Sequence, residues 1–354
     1  EQIELTRNLL DQLKVSHPLR RGKISPYFYE KHLRDLFQLM KTEGWTVNYL
    51  QDAIQRYLED LPSRENYRYQ RRYGDFQAGD IKQAKLESEQ ARMEILAAAV
   101  ALFPAYEKAL AHLGRYDYAD MILWVLKAFQ ENERLLRGYQ EQYLYFLVDE
   151  YQDTNGAQNE LLHMLAAFWE SPNLFIVGDD DQSIFEFQGA RLKNLVDYYQ
   201  KYEDQIAVVL LQQNYRSTQA ILDAAGGLIG NNEQRLTKQL EALGIEKKLQ
   251  ASLAERISSE VVPAIRSYPN NFQEEVAIIQ EMQQLAQQGL NWSDMAVIYA
   301  RHQQVQALQN LMDKHGIPYQ TRRKTNILDT RIIRQIREML LYLADEQQRS
   351  FSGD

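Results

Sequence analysis

Leu144-Tyr145-Phe146-Leu147-Val148-Asp149-Glu150-Tyr151-Gln152-Asp153-Thr154 is a short apolar run that ends in acid. A second run of the same form, Leu174-Phe175-Ile176-Val177-Gly178, leads into Asp179-Asp180-Asp181-Gln182-Ser183. A third, Ile206 to Leu211, leads into Gln212-Gln213-Asn214-Tyr215-Arg216-Ser217. Helical patterns separate the three. Continuous apolar strands alternating with helices predict a buried parallel sheet, which makes the fold class α/β. Ligands of such sheets sit at the carboxyl ends of the strands, where these polar clusters lie.

Outward from this core the texture differs. Residues 1 to about 112 read as helical, with Leu33, Leu36, Phe37 and Met40 at helical spacing. Gly44 is placed to close that helix and Thr46 to cap the next. A long helix is predicted from about Ile81 to Leu102, and Pro104 should kink or restart it. Downstream, Met295 to Tyr299 is a strand candidate, followed by a helix from about Gln303 to Lys314 and by Gly316. The stretch from Asn231 to Asn271 suggests loops and short strands.

Composition narrows the function classes. The chain has 354 residues, enough for two domains, and no cysteine, which removes disulfides, zinc ribbons and thiolate clusters from this segment. Six scattered histidines form no zinc-hydrolase spacing. No run of 18 apolar residues points to a membrane span. The net charge of −9 argues against a uniformly basic nucleic-acid surface, so distribution matters more than the sum. Lys14, Arg20, Arg21 and Lys23 cluster early, and Arg64, Arg68, Arg71 and Arg72 interleave with Tyr67, Tyr69 and Tyr73. Cations mixed with aromatics suit a backbone-plus-stacking contact with nucleic acid, or else a solvated helical face.

Each cluster admits specific chemistry. A carboxylate at Asp149 can hold Mg²⁺, and Glu150 beside it can orient and deprotonate water. The plainer alternative is a pair of acids favouring the next helix N-terminus. Asp179, Asp180 and Asp181 must repel one another unless solvent, cations or donors surround them, so metal binding competes with a phosphate-sensing role. Gln182 could hydrogen-bond a phosphate oxygen or the water. Phe185 and Phe187 could stack bases at roughly 1–3 kcal/mol each, or be core. Arg216, at a strand end, could stabilise a transferring phosphoryl group, an effect of about 10³–10⁵ in rate, or be a surface residue.

Taken in order, residues 149–155, 177–185 and 213–217 resemble motifs II, III and IV of superfamily 1 DNA helicases, nearest the UvrD/Rep/PcrA branch. Tyr116-Asp117-Tyr118-Ala119-Asp120-Met121 is similar to the segment that precedes motif II. The resemblance implies RecA-like, P-loop NTPase sheet units with a large helical insertion. It divides the chain at 1–112 (insertion), 113–212 (rest of the first RecA-like domain) and 213–354 (start of the second). It also implies a motor that couples ATP hydrolysis to 3′–5′ movement on single-stranded DNA, with ATP and Mg²⁺ as cofactors. Asp149 would serve the Mg²⁺, Glu150 would be the general base, and Gln182 would sense the γ-phosphate. Tyr215 would stack on adenine and Arg216 would be the arginine finger. Phe185, Phe187 and Gln188 would contact DNA. Single-stranded DNA, single–double-strand junctions and repair or replication proteins would be partners, in a bacterial cytoplasm and away from membranes.

Some positions depart from the family pattern. Glu186 and Gln188 replace a glycine and an arginine of the motif III tail, and Ala300 stands where an arginine is common. No Gly-x-x-x-x-Gly-Lys-Ser/Thr occurs, so the chain reads as a fragment that should not hydrolyse ATP usefully by itself. The rival readings are a non-hydrolysing helicase-like binding module and a Mg²⁺-dependent nuclease.

Overall fold

The computed structural model describes residues 1–20, 25–183, 205–232, 247–257, 261–321 and 331–352. They form two compact units, Glu1–Val261 and Val262–Asp354.

The first unit begins with α1 (Gln2–Asp11), α2 (Glu30–Glu43), α3 (Val47–Asp60), α4 (Gln83–Ala101) and α5 (Phe103–His112). Their apolar stripes meet in one cluster that includes Leu10, Leu33, Phe37, Met40, Val100, Phe103 and Tyr106. Gly44 ends α2 in the left-handed region at φ 66°, and the Thr46 hydroxyl caps α3 by accepting the Tyr49 N–H. Pro104 sits in the first turn of α5, where its missing N–H costs nothing, so α4 stops and α5 restarts as expected. By length and mean hydropathy Gln83–His112 could cross a membrane. Its Val100, Phe103 and Tyr106 instead fill the helical core.

The helical expectation for 1–112 fails between Arg68 and Ile81, where the chain forms an antiparallel hairpin. Gly74 and Gly79 adopt positive φ there, which no helix accommodates. Among the early cations, the Arg20 guanidinium donates to the carbonyls of Leu10, Asp11 and Leu13 at the end of α1, so it holds a helix terminus. Arg21 and Lys23 lie outside the described residues.

Next come α6 (Tyr118–Glu131), α7 (Glu133–Gln142), β1 (Phe146–Val148), α8 (Gly156–Ala166) and β2 (Leu174–Ile176). The strands are parallel, pairing Phe146 with Leu174, Leu147 with Phe175 and Val148 with Ile176. Asp117 and Asp120 form a capping box at the start of α6. Their carboxylates also take the ammonium of Lys41, 1% exposed, at 3.0 and 2.8 Å. That buried ion pair joins α2 to α6. At Gly156 a Cβ would stand 2.9 Å from the Glu43 carbonyl oxygen, so glycine lets α2 and α8 touch.

Two strand expectations need correction. The sheet is parallel, but it is not buried on both faces: Leu147 is 76% and Phe175 64% exposed. Among the described residues β1 and β2 have only each other, and both read half-buried, exposed, half-buried, so one face of the pair is packed and the face bearing Leu147 and Phe175 is open. The run Ile206–Leu211 forms no ladder among the described residues; Val209 and Leu211 are exposed. The strand begins later, as β3 (Gln213–Asn214), and its parallel partner is β4 (Gln250–Ala251) rather than β1 or β2. Extended chain becomes a strand only where its N–H and C=O groups find a ladder. Helix α9 (Gln219–Ile229) follows β3.

In the second unit α10 (Asn271–Gln287) packs on α11 (His302–His315), with Ile279, Val305, Leu308, Met312 and Ile317 between them. Gly316 closes α11 at φ 64°. Residues 295–299 are extended but join no sheet among the described residues, so that strand expectation is also unmet. Helix α12 spans Arg331–Ser352.

Candidate functional site

The carboxyl end of β1 delivers Asp149 and Glu150, and the chain turns there sharply. Glu150 has φ 50°, the one non-glycine residue with positive φ among those described. A β-carbon in that region costs of order 1–3 kcal/mol, which the surroundings must hold in place. They do so through a ladder that continues past the strands. Val177 N–H donates to the Val148 carbonyl at 2.8 Å, and Tyr151 N–H donates to the Val177 carbonyl at 3.0 Å. Tyr151 is buried, and its hydroxyl donates to the Asn159 side chain on α8.

Gln152 connects the two acidic loops. It is 1% exposed. Its amide NH₂ donates to a Glu150 carboxylate oxygen at 2.7 Å, and its amide oxygen accepts the Asp179 N–H at 3.0 Å. Gly178 makes room for it, since a Cβ there would lie 2.8 Å from the Gln152 amide oxygen. Asp179 in turn accepts the Asp181 N–H at 3.1 Å and the Gln182 side-chain NH₂ at 2.7 Å. Glu150, Gln152, Asp179 and Gln182 are therefore one hydrogen-bonded series.

The three successive aspartates have an internal cation. Lys247, with a side chain 13% exposed, is bonded to Asp179 and lies 3.0 Å from Asp181 and 3.5 Å from Asp180. Burial opposes its charge, but the hydrogen bonds it donates to Asp179 and Asp181 outweigh that and hold its ammonium above the ordinary lysine value. The carboxylates lie within 4.8 Å of one another, a spacing that would also suit a metal ion. The ammonium sits among their oxygens and offsets one of the three charges, so they fit a lysine-closed loop better than a metal site.

Asp149 is different. It is exposed, and its Oδ1 accepts the Glu150 N–H at 3.0 Å, which leaves carboxylate lone pairs open. Nearby in sequence, Asp153 Oδ1 is buried with no hydrogen-bond partner among the described residues. Oxygen donors of this kind, completed by water, suit Mg²⁺.

The third cluster is built by Asn214, whose side-chain oxygen accepts the N–H groups of Arg216 (3.0 Å) and Ser217 (2.7 Å). This Asx-type turn ends β3 and starts α9. Tyr215 and Arg216 are exposed, and Tyr215 donates to the Gln213 side chain. Among the described residues no hydrogen bond or ion pair joins Arg216 to Asp149, Glu150 or Gln182, so the structure gathers two of the three clusters. Phe185, Phe187 and Gln188 lie outside the described residues.

Residues 11–203 match the family described as the UvrD/REP helicase N-terminal domain, and 209–352 match the UvrD-like helicase C-terminal domain. The chain belongs to the UvrD/REP helicase family. Over 219 residues it is 34% identical to an ATP-dependent DNA helicase PcrA of Leuconostoc citreum, covering 62% of this chain and 27% of that protein. Over 245 residues it is 31% identical to the PcrA of Staphylococcus aureus strain Mu50, covering 68% and 30%. The Staphylococcus epidermidis PcrA is 30% identical over 245 residues, covering 68% and 31%. The chain thus spans about three-tenths of the length of these curated relatives. A UvrD/REP family member carries a RecA-like α/β fold, and the β1–β2 pair supplies parallel strands of that kind.

Two residues central to this candidate site carry little signal in the sequence. Gln152 stood inside the first acidic motif but offered no charge to attract notice. Lys247 lies 66 to 68 residues beyond its partners. The Lys247-Lys248 pair was the available signal.

Proposed function

We propose that this chain carries the acid and phosphate-sensing part of an ATP-dependent DNA helicase that moves 3′–5′ on single-stranded DNA. The observation that supports this best is the hydrogen-bonded series Glu150–Gln152–Asp179–Gln182, which makes two strand-end loops one unit. The PcrA proteins it resembles are named ATP-dependent DNA helicases. Division into 1–112, 113–212 and 213–354 is part of the same reading, as are a bacterial cytoplasmic setting and repair or replication partners.

Asp149 is the residue to hold Mg²⁺ beside ATP; the bound ion would neutralise phosphate charge. Glu150 orients a water and accepts its proton, and its heading is fixed by the bond from Gln152. Gln182 turns from Asp179 toward the terminal phosphate oxygens, so occupancy of the site is felt in the second loop. Tyr215 offers a ring to adenine, and Arg216 offers its guanidinium to phosphoryl charge. Phe185, Phe187 and Gln188 are the proposed strand contacts. The 354 residues contain no Gly-x-x-x-x-Gly-Lys-Ser/Thr, so turnover needs phosphate-cradling groups that this stretch does not supply. Lys247 among the aspartates disfavours the nuclease reading, which needs those oxygens for a metal.

The test is Glu150→Gln in the protein expressed from its whole reading frame. Hydrolysis should fall by at least about a hundredfold while binding of a fluorescent ATP analogue persists. Undiminished turnover removes Glu150 from the base role and with it this mechanism.

A further inference from the structure

The Arg68–Ile81 hairpin is absorbed by nothing above. Its base is fixed: Tyr67 is buried with Leu61 and Leu86, and Ile81 packs on them. Tyr69 N–H donates to the Asp80 carbonyl at 2.9 Å, and Lys82 N–H donates to the Tyr67 carbonyl at 2.8 Å. Its tip is a two-residue turn, Gly74-Asp75, closed by paired bonds between Tyr73 and Phe76 at 3.0 and 3.1 Å. Gly74 supplies the positive φ that primed hairpin turns require. The tip is therefore held out on an anchored base.

Three aromatic rings lie nearly parallel on this hairpin. Tyr69 and Phe76 are 4.7 Å apart with planes 11° off parallel, and Tyr69 and Tyr73 are 6.2 Å apart with planes 9° off. Tyr73 is 72% exposed, and Phe76 is also exposed. A satisfied core would bury such rings; here Tyr73 and Phe76 are exposed to solvent, while the Lys82 ammonium lies 5.6 Å over the half-buried Tyr69 ring. Around them the charge reverses. Arg64 to Lys85 hold six cationic and three acidic side chains in a chain of net charge −9. Arg64 pairs with Asp60, and Arg68 holds the carbonyls of Pro62 and Gly79. Arg71 and Arg72 directly precede Tyr73, are exposed, and have no ion pair or hydrogen bond among the described residues.

We infer that the 68–81 hairpin is a second nucleic-acid contact, in which an unpaired base stacks on the Tyr69–Tyr73–Phe76 rings and Arg71 and Arg72 take the flanking phosphates. Flat π faces with free guanidinium groups fit unpaired bases; a paired duplex would show its backbone to the arginines but its base faces to nothing. The choice of ligand rests on the DNA-motor reading, while the site itself is independent of the acidic loops.

The test measures binding of the 354-residue chain to a labelled oligothymidylate of about twenty nucleotides, with a duplex of equal length for comparison. Tyr73→Ala should weaken single-strand binding about tenfold, and Tyr73→Phe should retain it. Arg71→Gln with Arg72→Gln should lower the salt dependence of log affinity by about 1.4, from ~0.7 per phosphate contact. Melting temperature should not change, because the altered side chains are exposed. The charge-matched control Lys31→Gln with Lys108→Gln should leave the salt dependence nearly intact. Equal losses in that control, or hairpin dependence for the duplex alone, overturn the inference. So does unchanged single-strand affinity in the hairpin variants. If the unaltered chain does not bind the oligothymidylate, the inference falls while the Glu150 test still stands.

Discussion

The side-chain oxygen of Gln152 accepts the backbone N–H of Asp179 at 3.0 Å, and through that bond the loop after β1 is fastened to the loop after β2. The other end of the same amide holds Glu150. A planar amide cannot rotate to satisfy one partner without disturbing the other. The position of Asp179 and the heading of Glu150 are thereby linked.

Gly178→Ala should break this link without touching a charged group. The new Cβ meets the Gln152 amide oxygen at 2.8 Å, so the amide must swing away from both partners. A loss of about 1–3 kcal/mol, the cost of stranding buried polar groups, is expected in urea unfolding. A variant as stable as the parent would mean that Gln152 repacks freely and does not fasten the loops.

Lys247→Ala leaves three carboxylates within 4.8 Å of one another and no ammonium among them. Removing the one cation from this part-buried charge set should cost about 1–3 kcal/mol. The vacated position should then accept a divalent cation, so millimolar Ca²⁺ should raise the melting temperature of the variant more than that of the unaltered chain. Equal shifts would show that the lysine does not stand in for a metal.

Lys41 makes stability pH-dependent on the alkaline side. Burial opposes its charge, but hydrogen bonds to Asp120 and Asp117 prevail, so its folded pKa is raised. A raised pKa means that its contribution is whole below the ordinary lysine value of about 10.4 and drains away as pH climbs through the higher folded value. Urea unfolding at rising pH should show a decline that Lys41→Met, already weakened by the unpaired aspartates, no longer shows. An identical pH slope in both proteins would remove Lys41 as its source.

Tyr57 titrates late. Burial comes first, and the hydrogen bond to Glu89 at 3.0 Å adds to it, pushing its pKa up to about 12. Difference spectroscopy of Tyr57→Phe against the parent should isolate one phenolate appearing near that pH. A difference that appears near the ordinary tyrosine value of about 10 would contradict the packing of α3 on α4 described by that bond.

The parts of this structure legible beforehand were those governed by local chemistry. Gly44, Thr46, Pro104 and Gly316 each act within a turn of their own position, and the Val148–Asp149 and Gly178–Asp179 junctions mark where parallel strands meet solvent. What stayed hidden depended on partners distant in sequence. Nothing local tells Tyr67, which is core, from Tyr73, which is exposed on the hairpin. The run Ile206–Leu211 has a strand's composition but lacks a ladder, because pairing is decided by neighbours and not by apolar content. The need for a counter-charge at Asp179–Asp181 was readable from repulsion; that Lys247 would meet it was not.

Glu150 has its own consequence. A glycine at φ 50° would relax the turn after β1, so the resting protein lives with a local tension that an inert loop would shed. Substituting glycine there should yield a sturdier molecule with an empty-handed turn. Among the described residues, the one non-glycine joint in the left-handed region is thus the one from which the proposed proton acceptor projects, and it stays bent because the backbone bonds linking Val148, Val177 and Tyr151 clamp it on both sides.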